Sequence, residues 1–306
     1  MLSKTLMLGL IALGISYIIT PITVPLCRIT GAIDRPDNVR KINTLPIPRL
    51  GGLGFFIASL IALLPLVGTD PAISALLVSG ALLVSGGVAD DTFGLSAGTK
   101  LLIQAVAALV CVVYMGMPEY FSFFGLFRIP LSGPVGFAFV IVRIIFTVNA
   151  VNFSDGLDGL ASGLSLVALA SLFLFGTANG NPTPAAASLI IALALLGFMP
   201  YNRYRAKIFM GDCGSQFLGL SISVLSLACA VDGGFAVESA LFLAVPTFDT
   251  VISVFRRIIK GKSPFAADKG HLHHVLLELG VPHPYAANLL IALSGLIAVS
   301  TLFFSI

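Results

Sequence analysis

The sequence predicts an all-α, polytopic integral membrane protein, a single domain of about ten transmembrane helices. Three observations predict it. Of the 306 residues, 57% are hydrophobic and 10% charged, whereas soluble domains carry about 25% charge. The mean hydropathy is +1.03, which also excludes a disordered chain, since disorder needs high charge and few apolar side chains. The apolar residues fall in long continuous runs rather than in the short alternating segments of a membrane β-barrel.

Taken in order, the runs long enough to span are residues 5–25, 50–67, 71–89, 100–117, 134–151, 159–177, 184–201, 215–231, 235–256 and 285–305. The first follows Lys4 and resembles a signal peptide. Its apolar stretch is long and lacks an A-x-A site, so it reads as an uncleaved span. The connections are short and leave no room for a soluble domain. No internal repeat is evident, which argues against a transporter. Cys27, Cys111, Cys213 and Cys229 form no CxxC pair, so neither a disulfide framework nor a thiolate metal site is indicated.

Lys and Arg set the orientation. Arg28, Arg35, Arg40, Lys41, Arg49, Lys100, Arg203, Arg205, Lys207, Arg256, Arg257, Lys260, Lys262 and Lys269 fall in the five loops of one side, fourteen of the seventeen cations. Lys4 and Arg128 lie opposite, and Arg143 is inside a span. The rich side is therefore expected to be cytoplasmic, with both termini outward. Asp34, Asp37, Asp90, Asp91, Asp155, Asp158, Asp212, Asp268 and all four histidines gather on that same side. Carboxylates, cations and histidines at one membrane face suit an anionic substrate with a metal. The small net charge of +3 gives no sign of a nucleic-acid partner.

Each cytoplasmic loop carries chemistry. The first sets Lys41 and Arg49 among Pro36, Pro46, Pro48, Gly51 and Gly52, which hold the backbone extended and leave cations to face phosphates. Both also fit plain positive-inside anchoring, as Arg28 does. Asp90 and Asp91 sit side by side at a helix C-terminus, where like charges and the helix dipole both disfavour them, so a cation or metal is required. Asn149, Asn152, Asp155 and Asp158 recur every third residue. On one helix that spacing drifts by about 60° per step, so a break near residues 154–156 is expected. Capping would use one of the two Asp; the rest read as the rim of a pocket.

The run Gly211-Asp212-Cys213-Gly214-Ser215 opens a helix whose backbone N–H groups favour anions. Asp212 there would repel a phosphate unless a hard cation such as Mg²⁺ bridges them; the plain alternative is an N-cap. His271, His273 and His274 lie beside basic residues and read as phosphate donors, charged when substrate binds. A zinc site lacks both an HExxH run and a cysteine partner. Inside the spans, Arg143 and Asp249 stand at equal expected depth and are expected to pair.

AspAsp at 90–91, NAVNFSDGLDGL at 149–160, FMGDCGS at 209–215 and DKGHLHH at 268–274, in this order, resemble the polyprenyl-phosphate N-acetylhexosamine-1-phosphate transferases, glycosyltransferase family 4. The last motif looks like the bacterial undecaprenyl-phosphate GlcNAc-1-phosphate branch, which initiates O-antigen and teichoic-acid synthesis. In the phospho-MurNAc-pentapeptide branch, the alternative, three histidines are usually consecutive, and here Leu272 interrupts them. The resemblance implies a multi-pass enzyme of the bacterial inner membrane with a cytoplasmic site. It implies UDP-N-acetylhexosamine (most often UDP-GlcNAc) and undecaprenyl phosphate as substrates, UMP as product and Mg²⁺ (or Mn²⁺) as cofactor, and it leaves a homodimer open.

Carried over by motif, Asp212 would hold the metal, and Asp90 and Asp91 would serve catalysis or lipid-phosphate positioning. Asn152, Asp155, Asp158, Asn202 and Phe209 would line the nucleotide pocket, Phe209 stacking on uracil. Lys41, His271, His273 and His274 would hold phosphates or sugar. A phosphate monoester is already mostly dianionic at neutral pH, so direct attack on the donor's β-phosphorus is expected, its rival being an Asp90 or Asp91 nucleophile. A secondary transporter would carry its ionisable groups at the midplane. An intramembrane aspartyl protease would need a GxGD run, where Ile208 stands before Gly211-Asp212 instead.

Overall fold

The structure, a computed structural model, describes residues 2–35, 46–229, 233–261 and 270–305. Lys41, together with Asp37, Arg40, Asp268 and Lys269, lies outside the described residues. Twelve α-helices are described: α1 (Leu2–Thr30), α2 (Gly52–Leu63), α3 (Pro71–Phe93), α4 (Ala97–Met115), α5 (Gly133–Phe153), α6 (Leu160–Ala178), α7 (Pro182–Asn202), α8 (Gly211–Ala228), α9 (Glu238–Leu241), α10 (Ala244–Ile259), α11 (Leu272–Glu278) and α12 (His283–Ser305). Five short strands accompany them: β1 (Ile33–Asp34), β2 (Ile47–Pro48), β3 (Tyr120–Phe123), β4 (Phe127–Pro130) and β5 (Phe235–Ala236).

Helix ends are cut by local chemistry. Asp70 caps α3, accepting from the Ala72 N–H at 2.8 Å ahead of Pro71. Gly94, at φ +71°, ends it, a conformation glycine adopts without the Cβ penalty. Ser96 then caps α4 by accepting from Thr99 N–H at 3.1 Å. The reversal between them leaves Asp90 and Lys100 on facing helix ends.

α8 is the axis of the bundle, packed against α2, α3, α5, α6 and α7 and buried from Cys213 to Leu227. Glycines permit that closeness. A Cβ on Gly52 would collide with the Gly214 backbone, one on Gly87 with Cys213, and one on Gly219 with Val148. Helices with an outer face instead expose Leu10, Ile18 and Ile22 (α1), Leu102 and Val113 (α4), and Leu296, Val299 and Phe303 (α12). Apolar surface on this scale requires a lipid cover.

Among the described residues, seven helices are long and apolar enough to cross a membrane: α1, α3, α4, α5, α6, α7 and α12. The protein is thus a multi-pass helical membrane protein, but the expected count of ten is not reached on this measure. Three expected spans fall short for different reasons. α2 is a short helix, prolonged by a 3₁₀ turn to Leu66. α8 touches protein on all sides, so it can carry Ser221, Ser223 and Ser226 in place of larger apolar groups. The run 235–256 is broken into β5, α9 and α10.

Nor is the chain wholly helical. β3 and β4 pair antiparallel, with Tyr120 opposite Pro130, and β3 pairs parallel with β5, with Phe121 opposite Phe235. Aromatic residues around Gly125 (φ +66°) favour that hairpin over a helix end.

The expected Arg143–Asp249 pair is not formed. Arg143 donates to Ser226 Oγ at 2.5 Å and lies 4.3 Å over the Phe235 ring. Asp249 bonds His271 and Leu272 instead. Equal depth along two helices says nothing about facing: a hydroxyl and an aromatic face serve the one charge, an imidazole the other.

Candidate active site

Helix ends converge at one end of the bundle. The C-terminus of α3 brings Asp90 and Asp91, the N-terminus of α4 brings Lys100, the C-terminus of α5 brings Asn152 and the N-terminus of α8 brings Asp212. Lys100 Nζ lies 2.5 Å from Asp90 Oδ2 and 2.9 Å from Asp212 Oδ2. Asn152 Nδ2 donates to Asp212 Oδ1 at 3.1 Å and to Ser215 Oγ at 2.8 Å. Gln216, one turn beyond Asp212, donates to its Oδ2 at 3.3 Å.

Asp91 has a different task from its neighbour. Its side chain is fully buried, and its oxygens accept from the N–H groups of Asp212 and Cys213, both at 3.2 Å. Arg49 Nη2 lies 3.3 Å from it. The helix N-terminus expected to receive a substrate anion therefore already holds one, the Asp91 carboxylate. Gly211, at φ +69°, makes the approach: a Cβ there would strike the Arg49 carbonyl and Asp91 Oδ2. The segment before α2 is stitched to the same turn, since Phe209 N–H donates to Pro48 O at 2.8 Å and Gly51 N–H to Phe209 O at 2.9 Å.

The expected break after α5 is present, and α6 begins only at Leu160. Neither Asp caps α6, whose N-cap is Gly159. Asp158 accepts from Ala206 N–H at 3.0 Å and so ties the α7–α8 loop. Asp155 is half-buried, and burial, with the charges of Asp212 and Asp91, pushes its carboxyl well above the usual range. Asn202 is buried, accepting from Ser162 at 2.7 Å and donating to Ile208 O at 3.2 Å. Phe209 is half-buried beside this turn.

The histidines adjoin the carboxylates through residues 152–156. The His271 ring stands 5.6 Å from Phe153, and His273 packs so tightly on Gly156 that a Cβ there would strike its Nε2. His271 and His273 lie nearly parallel at 5.9 Å, and His274 stands 4.3 Å from His273. Burial, then the neighbouring His274 and His271, lowers His273 to about 4, so it is neutral at pH 7.

Four site residues were not among those expected. Lys100 counts in the sequence only as an orienting charge, although it is the one cation between Arg49 and Arg128 in the sequence. Ser215, in the motif, and Gln216, just after it, share the helix face of Asp212, and Asp249 looks like part of an intramembrane pair. The sequence divides Arg49 between anchoring and function, and the structure gives it to Asp91.

Among the described residues, no group of three or more His, Cys, Asp or Glu gathers to hold an ion alone. Asp90 and Asp212, however, already share one cation, Lys100. Hard carboxylate oxygens in that arrangement fit Mg²⁺, which takes one or two carboxylates and completes its shell with water and substrate phosphate.

A model of glycosyl transferase family 4 matches residues 73–230, which hold both aspartate motifs and the Asp212 turn but not the histidines. The chain is 35% identical over 289 residues to a Bacillus subtilis (strain 168) protein named probable undecaprenyl-phosphate N-acetylglucosaminyl 1-phosphate transferase, covering 93% of this chain and 80% of the relative. It is 35% identical over 341 residues to the decaprenyl-phosphate N-acetylglucosaminephosphotransferase of Mycolicibacterium smegmatis, covering 99% and 83%. Against the undecaprenyl-phosphate alpha-N-acetylglucosaminyl 1-phosphate transferase of Salmonella typhi it is 31% identical over 280 residues, covering 88% and 75%.

Proposed function

This chain belongs to glycosyl transferase family 4, and we propose that it transfers GlcNAc-1-phosphate from UDP-GlcNAc to undecaprenyl phosphate, releasing UMP. The observation that carries the reading is the single ammonium of Lys100 shared by Asp90 and Asp212, beside Asn152 and the histidines. Two anions must meet in this reaction, and the site gathers the charges that neutralise and orient them.

Asp212 and Asp90 would hold Mg²⁺, which supplies charge neutralisation at the diphosphate when bound. Lys100 and Asn152 keep those two carboxylates in place. Asp91 positions the α8 N-terminus, and with both oxygens engaged by backbone and Arg49 it is poorly placed to attack phosphorus. The acceptor's own phosphate oxygen attacks the β-phosphorus as the bond to UMP breaks. His271, His273 and His274 donate hydrogen bonds to the departing phosphate. Asp155, Asp158 and Phe209 border the nucleotide.

The chain crosses the membrane ten times in this reading, α2, α8 and α10 joining the seven longer helices. Support comes from alternation: α2, α4, α6, α8 and α12 start at the site end, while α1, α3, α5, α7 and α10 finish there. Both termini then lie on the far side. The cluster of Arg28, Arg35, Arg49, Lys100, Arg203, Arg205, Lys207, Arg256, Arg257 and Lys260 at the site end supports a cytoplasmic site. Incubation with labelled UDP-GlcNAc or UDP-GalNAc and undecaprenyl or decaprenyl phosphate tests the substrates. Label should pass from UDP-GlcNAc into the lipid phase; label entering from UDP-GalNAc alone would refute the sugar assignment.

A further inference from the structure

Asp249 is a buried carboxylate of α10, and a buried charge without partners is costly. Both of its oxygens serve the start of the histidine segment. Oδ2 accepts from His271 Nδ1 at 2.8 Å, and Oδ1 accepts from Leu272 N–H at 2.9 Å. If the carboxylate only stitched the backbone of α11, one oxygen would suffice; the second is spent on the imidazole.

That contact decides the ring's chemistry. An ionised carboxylate only accepts, so Nδ1 carries the proton and Nε2 is the nitrogen left to meet a ligand. The ring also neighbours Phe153 at 5.6 Å and the nearly parallel His273 at 5.9 Å. Ser253 Oγ stands 3.4 Å from Nδ1 and accepts from Arg256 Nη2 at 3.0 Å, so the same edge of the ring is supported twice.

We propose that Asp249 is a positioning residue that directs His271 Nε2 at the donor's diphosphate. When the bound anion draws a proton from solvent onto Nε2, Asp249 balances the imidazolium, and Nε2–H donates to the phosphate that leaves with UMP. Carboxylates behind functional imidazoles fix the tautomer and orientation in this way. The inference rests on the transferase reading above and adds a residue from outside its motifs.

The test compares the full-length wild type with D249N, H271Q and the double variant, by steady-state kinetics and by ¹⁵N NMR of histidine-labelled protein, H271Q assigning the signal. D249N is expected to lower kcat about 10–100-fold while KM for UDP-GlcNAc changes far less. The double variant should be no slower than H271Q, because the two residues act as one unit. In the wild type, His271 should be the Nδ1–H tautomer, and D249N should shift it. A near-normal kcat in D249N, or losses that multiply in the double variant, would overturn the proposal. If D249N does not fold, the wild-type spectrum still decides: an Nε2–H tautomer overturns it. Should the wild type use no UDP-sugar, the transferase reading fails by itself. The tautomer comparison then judges the Asp249–His271 link separately, and an unchanged signal in D249N refutes it.

Discussion

One ammonium, Lys100 Nζ, ties Asp90 of α3 to Asp212 of α8 at 2.5 and 2.9 Å. It stands where a substrate-loaded site would concentrate cations. Lys100→Gln should leave two close carboxylates without their counter-charge. The metal-free protein is expected to lose about 1–3 kcal/mol, the lysine being part-exposed. Mg²⁺ should restore more of the melting temperature than it adds to the wild type. Thermal unfolding in EDTA and in Mg²⁺ measures both, and equal Mg²⁺ increments would refute the shared-cation account.

The two adjacent aspartates should part company. Asp91→Asn removes the charge behind two buried N–H bonds and the Arg49 pair, so a stability loss of about 1–3 kcal/mol is expected. Asp90→Asn should fold with a near-normal melting temperature yet lose most turnover. Paired unfolding and rate measurements on both variants check this, and an Asp91→Asn protein as stable as wild type would contradict the capping role.

Much of this site is legible in the sequence, and its limits are physical. Asp90-Asp91 announces a need for cations because adjacent carboxylates repel, and Lys100 and Arg49 answer it. The Asn/Asp spacing at 149–158 announces a helix break, and α5 ends at Phe153. Three-dimensional facing is not legible. Arg143 and Asp249 share a depth but look at different neighbours, and the α8 N-terminus meets an internal anion that no local pattern reveals. Span counting reads 235–256 as one continuous run because apolar composition alone does not report that it divides into β5, α9 and α10.

Packing around α8 leaves no room at Gly52, where a Cβ would meet the Gly214 backbone and the Met210 carbonyl. Gly52→Val should force α2 from α8 at a cost of about 1–3 kcal/mol and loosen the stitched turn at residues 48–52 and 209–210. Unfolding midpoints should fall, whereas Gly14→Ala, which meets nothing within 4 Å, should leave them unchanged.

His273 gives stability a pH dependence of known sign. Its folded value is lowered to about 4 from 6.5, so between those limits the unfolded chain binds the extra proton. Stability is therefore full above pH 6.5 and falls as the pH drops toward 4, by up to about 3 kcal/mol. His273→Gln should flatten this slope. A variant with the same acid loss as wild type would show that another group carries it.

The most direct test is UMP release by purified protein with UDP-GlcNAc, with and without undecaprenyl phosphate and with Mg²⁺ or EDTA. Release is expected only when lipid and Mg²⁺ are both present, and Asp212→Asn should abolish it. A stoichiometric burst of UMP without lipid would contradict direct attack by the lipid phosphate, and UMP release undiminished in EDTA would contradict the carboxylate–metal site itself.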